Sequence, residues 1–144
     1  MLYSRITIFA LIFFLLTFAT SYLSMRNFAD QPAASCMDCS YLKDVFFFSL
    51  FSILIIPIVL FILDKRKINT LPLSLIISAV FLLTTFINNL NLFKDRVSSW
   101  SSYGTKDEIV ATVAQSYPYM ITGSIVIFFI FYKMYRRDKA SAEN

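Results

Sequence analysis

The sequence predicts an all-α integral membrane protein: four transmembrane helices in a bundle, with both termini on the cytoplasmic side. Three observations predict it. Hydrophobic residues make up 58% of the 144 positions and charged ones 15%, with mean hydropathy +0.67, more apolar surface than a water-soluble domain of this size can hide. Four stretches, residues 6–25, 45–63, 68–93 and 109–132, carry no charged side chain. Each is near or above the ~20 residues that cross ~30 Å of hydrocarbon at 1.5 Å per residue.

The third observation is where the charges fall. The N-terminus, the second connection and the tail hold Arg5, Lys65, Arg66, Lys67, Lys133, Arg136, Arg137 and Lys139, with three acids. The other two connections hold Arg26, Lys43, Lys94, Arg96 and Lys106, with six acids. Basic residues gather on the cytoplasmic side of membrane proteins, so the expected location is a bacterial inner membrane, spanned several times. The net charge of +4 then reflects topology and contact with the lipid bilayer, not a nucleic-acid partner. Barrel strands are excluded because the apolar runs are too long and continuous, and open strands because lipid cannot satisfy their backbone groups. One domain accounts for the whole length.

Helix 1 is expected at about 6–24. Arg5 before an apolar run resembles a signal peptide, but the run is long and ends without a small-residue cleavage site. Its first half is bulky, and its second carries Thr17, Thr20, Ser21 and Ser24 at helical spacing on one face. An irregular connection follows around Gln31-Pro32-Ala33-Ala34. Helix 2, about 45–63, has Ser49 and Ser52 in its outer half and Pro57 near mid-span, where a lost backbone bond predicts a kink. Asp64-Lys65-Arg66-Lys67 stops it at the cytoplasmic surface.

Helix 3, about 71–92, carries Ser74, Ser78, Thr85 and Asn88 on one face, and Asn88, Asn89 and Asn91 crowd its outer end. Trp100 and Tyr103 in the next connection suit the headgroup level. Thr105-Lys106-Asp107-Glu108 matches a capping box, with Thr105 as the cap. Helix 4 is therefore expected over about 106–132, bent near Pro118.

Few residues can carry chemistry. With no histidine, and no acid or base inside the apolar stretches, a proton relay, a histidine metal site and a Ser-His nucleophile are set aside, and no metal is expected. Two glycines leave no phosphate-cradling loop. The sharpest remaining signal is Cys36-Met37-Asp38-Cys39. Two cysteines three apart can close a disulfide, which an extracytoplasmic compartment keeps oxidised, and a thiolate at a helix N-terminus is stabilised by the dipole. The same spacing fits a passive structural bridge.

Cys36-x-x-Cys39-x-Tyr41-x-Lys43, about ten residues after helix 1 and opening helix 2 from the periplasmic side, resembles the membrane thiol oxidoreductases of the DsbB type. The four-helix plan and inward termini are similar too. The resemblance implies thiol-disulfide catalysis by Cys36 and Cys39, supported by Lys43, with electrons passed from a thiol partner to a quinone. Two departures stand against it. The family's second cysteine pair belongs between helices 3 and 4, where residues 93–117 hold none, and Lys43 stands where an arginine is usual, which is not a neutral exchange.

The second signal is an asymmetry. Thr17, Thr20, Ser21, Ser24, Ser49, Ser52, Thr84, Thr85, Asn88, Thr122, Gly123 and Ser124 all fall in the outer half, while the inner half, apart from Ser74 and Ser78, is almost wholly Ile, Leu, Phe and Val. Either these residues pack helices together, or they line a polar cleft open to the periplasm, in which Asn88, Thr85, Ser49, Ser52 and Thr122 would bind a partner. The leading expectation is a small membrane protein that acts by binding a membrane or periplasmic protein partner without a cofactor, as an accessory subunit or a protective protein. Immunity proteins against pore-forming bacteriocins have a similar plan of few helices and short loops. Thiol oxidation, with a quinone, is the alternative, and self-association into a homo-oligomer is compatible with both.

Overall fold

The computed structural model describes residues 2–64 and 68–142, with side chains from 6–63 and 68–136. Lys65, Arg66 and Lys67, expected to stop helix 2, lie outside the described residues, as do the side chains of Arg5, Arg137 and Lys139. The described chain folds as four α-helices: α1, Leu2–Met25; α2, Tyr41–Asp64; α3, Thr70–Arg96; and α4, Thr105–Ala142. Short 3-10 turns, Arg26–Phe28 and Ser98–Trp100, follow α1 and α3. All four helices are long and apolar enough to cross a membrane. The 38 residues of α4 make it about 57 Å long, well beyond the ~30 Å of a hydrocarbon core.

At the ends nearest the connections 26–40 and 97–104, α2, α3 and α4 extend beyond their apolar runs, for local reasons. α2 begins at Tyr41, because Ser40 caps it: its carbonyl accepts from the Lys43 and Asp44 amides at 3.0 and 3.2 Å, and its hydroxyl accepts from Lys43 N at 3.4 Å. α3 continues to Arg96, with Lys94 and Arg96 in its last turn, where cations complement the helix dipole. The start of α4 differs from the expected capping box. Glu108 N donates to the Gly104 carbonyl at 3.0 Å, so Gly104 occupies the cap position and Thr105 is already helical. The Glu108 carboxylate is drawn away by Ser98 Oγ and by Lys94 Nζ at 3.5 Å. Neither Pro57 nor Pro118 interrupts its helix.

α1 and α3 touch each other and both remaining helices, so they form the short diagonal of the bundle, with α2 and α4 at the outer corners. The two connections 26–40 and 97–104 share one end of the bundle, termed here the cap end. Nearer the other end sits an apolar core of Phe9, Ala10, Phe13, Ile56, Leu60, Leu73, Ile77, Phe81, Ile127 and Phe131. Ring contacts lock it: Phe9 stacks on Phe131 at 4.9 Å and Phe13 meets Phe81 edge-on at 5.6 Å. A second apolar cluster of Met25, Tyr41, Val45 and Leu92 closes the cap end.

Between these clusters lies a buried polar band drawn from every helix: Thr17, Thr20, Ser21 and Ser24; Ser49 and Ser52; Thr84, Thr85, Asn88 and Asn89; Thr112 and Ser116. α4 reaches this band through Gly123. A Cβ built there would lie 2.8 Å from Phe81 Cε1 and 2.8 Å from Thr20 Oγ1, so only glycine lets α4 approach α1 and α3 this closely.

Candidate functional site

The cap end is organised by one buried cation. Arg96, at the last turn of α3, has a side chain only 2% exposed, and its Nη2 lies 2.6 Å from Oδ2 of Asp44 in the first turn of α2. Its Nη1 donates to the carbonyls of Ala29, at 2.9 Å, and Gln31, and Nη2 also donates to the Cys39 carbonyl at 3.3 Å. The guanidinium stands 5.3 Å from the centre of the Tyr41 ring, within cation–π range. Tyr41 in turn donates its hydroxyl to the Tyr22 carbonyl at 2.8 Å and to that of Ser21 at 3.3 Å. Burying a guanidinium costs more than an ion pair returns unless its other donors are also satisfied. Here a carboxylate and three loop carbonyls satisfy Nη1 and Nη2, while Nε has no partner among the described residues, and the contacts tie α1, α2, α3 and the first connection to one point.

Asp95 anchors the same connection from the neighbouring position. Its carboxylate accepts from Ser35 N at 2.8 Å and Ser35 Oγ at 2.9 Å, and its carbonyl accepts from Ala34 N at 2.8 Å. Trp100 Nε1 adds a bond to the Pro32 carbonyl at 2.8 Å. Cys36 and Cys39 are joined in a disulfide, with Cα atoms 5.3 Å apart, across a turn closed by Cys39 N donating to the Cys36 carbonyl at 3.1 Å. Both cysteines are half-buried, and Met37 and Asp38 at the tip are exposed. Lys43 is exposed in the first turn of α2.

The other candidate residues do not converge on one open cleft. Ser49, Ser52, Thr85 and Asn88 face the interior and are buried, whereas Thr122 is exposed and returns its hydroxyl to the Pro118 carbonyl at 2.8 Å. Some of the band is satisfied within the chain. Ser24 donates to the Ser21 carbonyl at 3.2 Å, Ser52 to that of Ser49 at 2.6 Å, and Ser116 to that of Thr112 at 2.6 Å. The hydroxyls of Thr17, Ser21, Ser49, Thr85 and Thr112, the Asn88 amide nitrogen and both ends of the Asn89 amide have no partner among the described residues.

Two grooves open on the outside of the bundle beside this band. One, of about 310 Å³, runs between α2 and α3 and is lined by Phe48, Phe51, Ile55, Thr84, Ile87, Asn88 and Asn91. The other, of about 570 Å³, runs between α1 and α4, with Thr20, Pro118, Tyr119, Thr122 and Gly123 in its lining. Asn88 and Thr122 thus belong to different grooves, and neither groove is lined by Cys36, Cys39 or Lys43.

Asp44, Arg96 and Asp95 are the cap residues that sequence reasoning passed over as ordinary loop charges. The signal available was positional: Asp44 and Arg96 each sit within three residues of an apolar stretch, where a charge must either reach water or find a partner. Comparison with protein-family models, curated proteins and solved structures finds no match to this chain.

Proposed function

We propose that this chain is a multi-pass protein of a bacterial inner membrane, with both termini cytoplasmic and the disulfide-bearing cap outside, that acts by binding a protein partner within the bilayer. The observation that carries this reading is the groove between α2 and α3. It is an aromatic and aliphatic trough bordered by Thr84, Asn88 and Asn91, with the Asn88 amide nitrogen unpartnered. In hydrocarbon a free amide donor gains from any acceptor brought to it, and hydrogen bonds between membrane helices contribute ~0.6–2 kcal/mol. A partner helix seated in this trough would cover Phe48 and Phe51, and its hydroxyl or carbonyl oxygens would lie beside Asn91 and beside Asn88, whose buried amide would have to turn outward to meet them. The test is photo-crosslinking in cells from Phe51 and Asn91, with Leu15 and Leu75, exposed on other faces, as controls. A protein adduct specific to the groove positions and lost on Asn88→Leu is the expected result. Adducts to lipid alone, or the same adducts from all four positions, would refute the reading.

One observation favours a second reading. The Cys36–Cys39 disulfide lies half-buried in a turn one residue before the cap of α2, where the helix dipole favours a thiolate. An attacking thiolate of a periplasmic protein dithiol would form a mixed disulfide with one cysteine. The partner's second thiol would then resolve it, leaving Cys36 and Cys39 as thiols and the partner oxidised by two electrons. Lys43 is exposed, and neither groove is lined by Cys36, Cys39 or Lys43. Trapping of a mixed disulfide by a single Cys→Ser variant is the expected sign. Wild-type behaviour of both single variants in every assay would end this reading.

A further inference from the structure

The way the first connection is fastened to α3 is uneven, and the disulfide bridges the uneven points. Upstream of the turn the hold is dense: Ala34 N to the Asp95 carbonyl, and Ser35 N and Oγ to the Asp95 carboxylate, all within 2.9 Å. Downstream, the Cys39 carbonyl has a single 3.3 Å bond from Arg96 Nη2, a long one. Ser40, the cap of α2, follows at once. Within the turn one backbone bond of 3.1 Å joins Cys36 and Cys39. The covalent bridge therefore carries the firm anchorage at Asp95 and Ser35 across to Cys39 and the first turn of α2. That turn presents Tyr41 and Asp44 to the buried guanidinium.

We infer that the Cys36–Cys39 pair is a redox-sensitive latch: its disulfide holds the first turn of α2 against Arg96, and its reduction releases that contact while the apolar core stays folded. The reductant is an external dithiol. Its two electrons and two protons break the Sγ–Sγ bond and leave two thiols here, while the dithiol departs as its own disulfide. From α3, Cys39 then receives only the long bond of Arg96 Nη2, and the turn keeps only the 3.1 Å bond from Cys39 N to the Cys36 carbonyl. As they move, Arg96 loses a carbonyl and the Asp44 carboxylate gains access to water. The polar band, with its unpartnered Thr17, Ser21, Ser49, Thr85 and Asn89 side chains, lies beyond the apolar layer of Met25, Tyr41, Val45 and Leu92 that this latch covers. The core around Phe13, Ile77, Phe81 and Phe131 lies beyond it and contains no residue of the cap. The inference holds whether the pair exchanges with a partner or not, because it concerns what the disulfide does to its own fold.

The test is hydrogen exchange on the full chain in lipid nanodiscs, oxidised and then reduced, with thiol alkylation followed by mass to prove reduction complete. In the reduced protein, amides at 39–44 and 95–100 should exchange on the order of tenfold faster, most of what closing so short a loop is worth. Those at 9–13 and 77–81 should not change. The double variant C36S/C39S should match the reduced wild type. Equal exchange at 39–44 and 95–100 in both redox states would overturn the latch. An equal rise through 9–13 and 77–81 would also overturn it, since the disulfide would then staple the whole fold. Mixed-disulfide trapping reads the exchange reaction separately, so loss of one does not mimic loss of the other.

Discussion

Asp44→Asn is the most informative single change, because it removes a charge and almost no volume. Arg96 is 2% exposed, Asp44 8%, and Nη2 and Oδ2 lie 2.6 Å apart, so the variant leaves a guanidinium buried without its counter-charge. Breaking a buried pair from one side costs about 3–5 kcal/mol. The low end applies here, because the carbonyls of Ala29, Gln31 and Cys39 still receive Arg96 and the cap end is near the surface. A loss of about 3 kcal/mol changes the folding equilibrium roughly 150-fold. The assay is reversible unfolding of the oxidised chain in mixed micelles, followed by circular dichroism, on a double-mutant cycle. Asp44→Asn, and Asp44→Leu and Arg96→Met as the arms of the cycle, should each destabilise by about 3 kcal/mol. The double variant should recover most of the loss, since apolar replacement of a buried pair is often neutral or better. Single variants within about 0.5 kcal/mol of wild type, the size of an exposed pair, would refute the reasoning.

Gly123→Ala should destabilise the same protein by about 1–2 kcal/mol. The new methyl would overlap the buried Phe81 ring and Thr20 Oγ1, and this overpacking outweighs the gain of ~1 kcal/mol in helix propensity. Unfolding midpoints would show it, and a neutral result would mean that α4 can shift outward freely. Tyr41→Phe removes the hydroxyl bonds to Tyr22 and Ser21 and should cost about 0.5–1.5 kcal/mol in the same assay, with the ring's contact to Arg96 retained. For the orientation, alkaline phosphatase fused after Ser101 should be active and a fusion after Asn144 inactive, with the reverse for a fluorescent protein that matures only in the cytoplasm. Activity of both phosphatase fusions would contradict cytoplasmic termini.

The four helices were legible because their signal is composition over twenty residues, which no tertiary contact can mask. Their ends were less so. The apolar run stops at Val45, but Ser40 and Arg96 together let α2 start at Tyr41, and Arg96 stands 52 positions from Asp44 in sequence. No local pattern announces such a partner. The capping box at Thr105 failed for a related reason: the motif was present, but Ser98 and Lys94 compete for Glu108 and Gly104 takes over the cap. The polar asymmetry was visible residue by residue, yet spacing along one helix cannot say whether a face turns inward or toward lipid. Thr85 and Thr122 carry the same signal, and the fold buries one and exposes the other.

The placement of the polar band limits where this chain can act. On one side of the band, Phe13, Ile77, Phe81, Ile127 and Phe131 are fully buried and in contact, and the buried Ser74 and Ser78 hydroxyls there are turned to the Thr70 and Ser124 carbonyls, so the described residues offer no continuous polar path through that half of the bundle. A hydrated group or an ion crossing there would forfeit its hydrogen bonds over several helical turns, each lost bond costing about 1–3 kcal/mol. On the other side, Met25, Tyr41, Val45 and Leu92 separate the band from the cap surface, and the Asp44–Arg96 pair holds that lid in place. Access to the band therefore comes from the cap end or sideways through the grooves at Asn88 and Thr122. Both proposed activities, a partner seated in the bilayer and thiol exchange at the surface, use that half alone. The half with the polar band also carries both cysteines of the sequence.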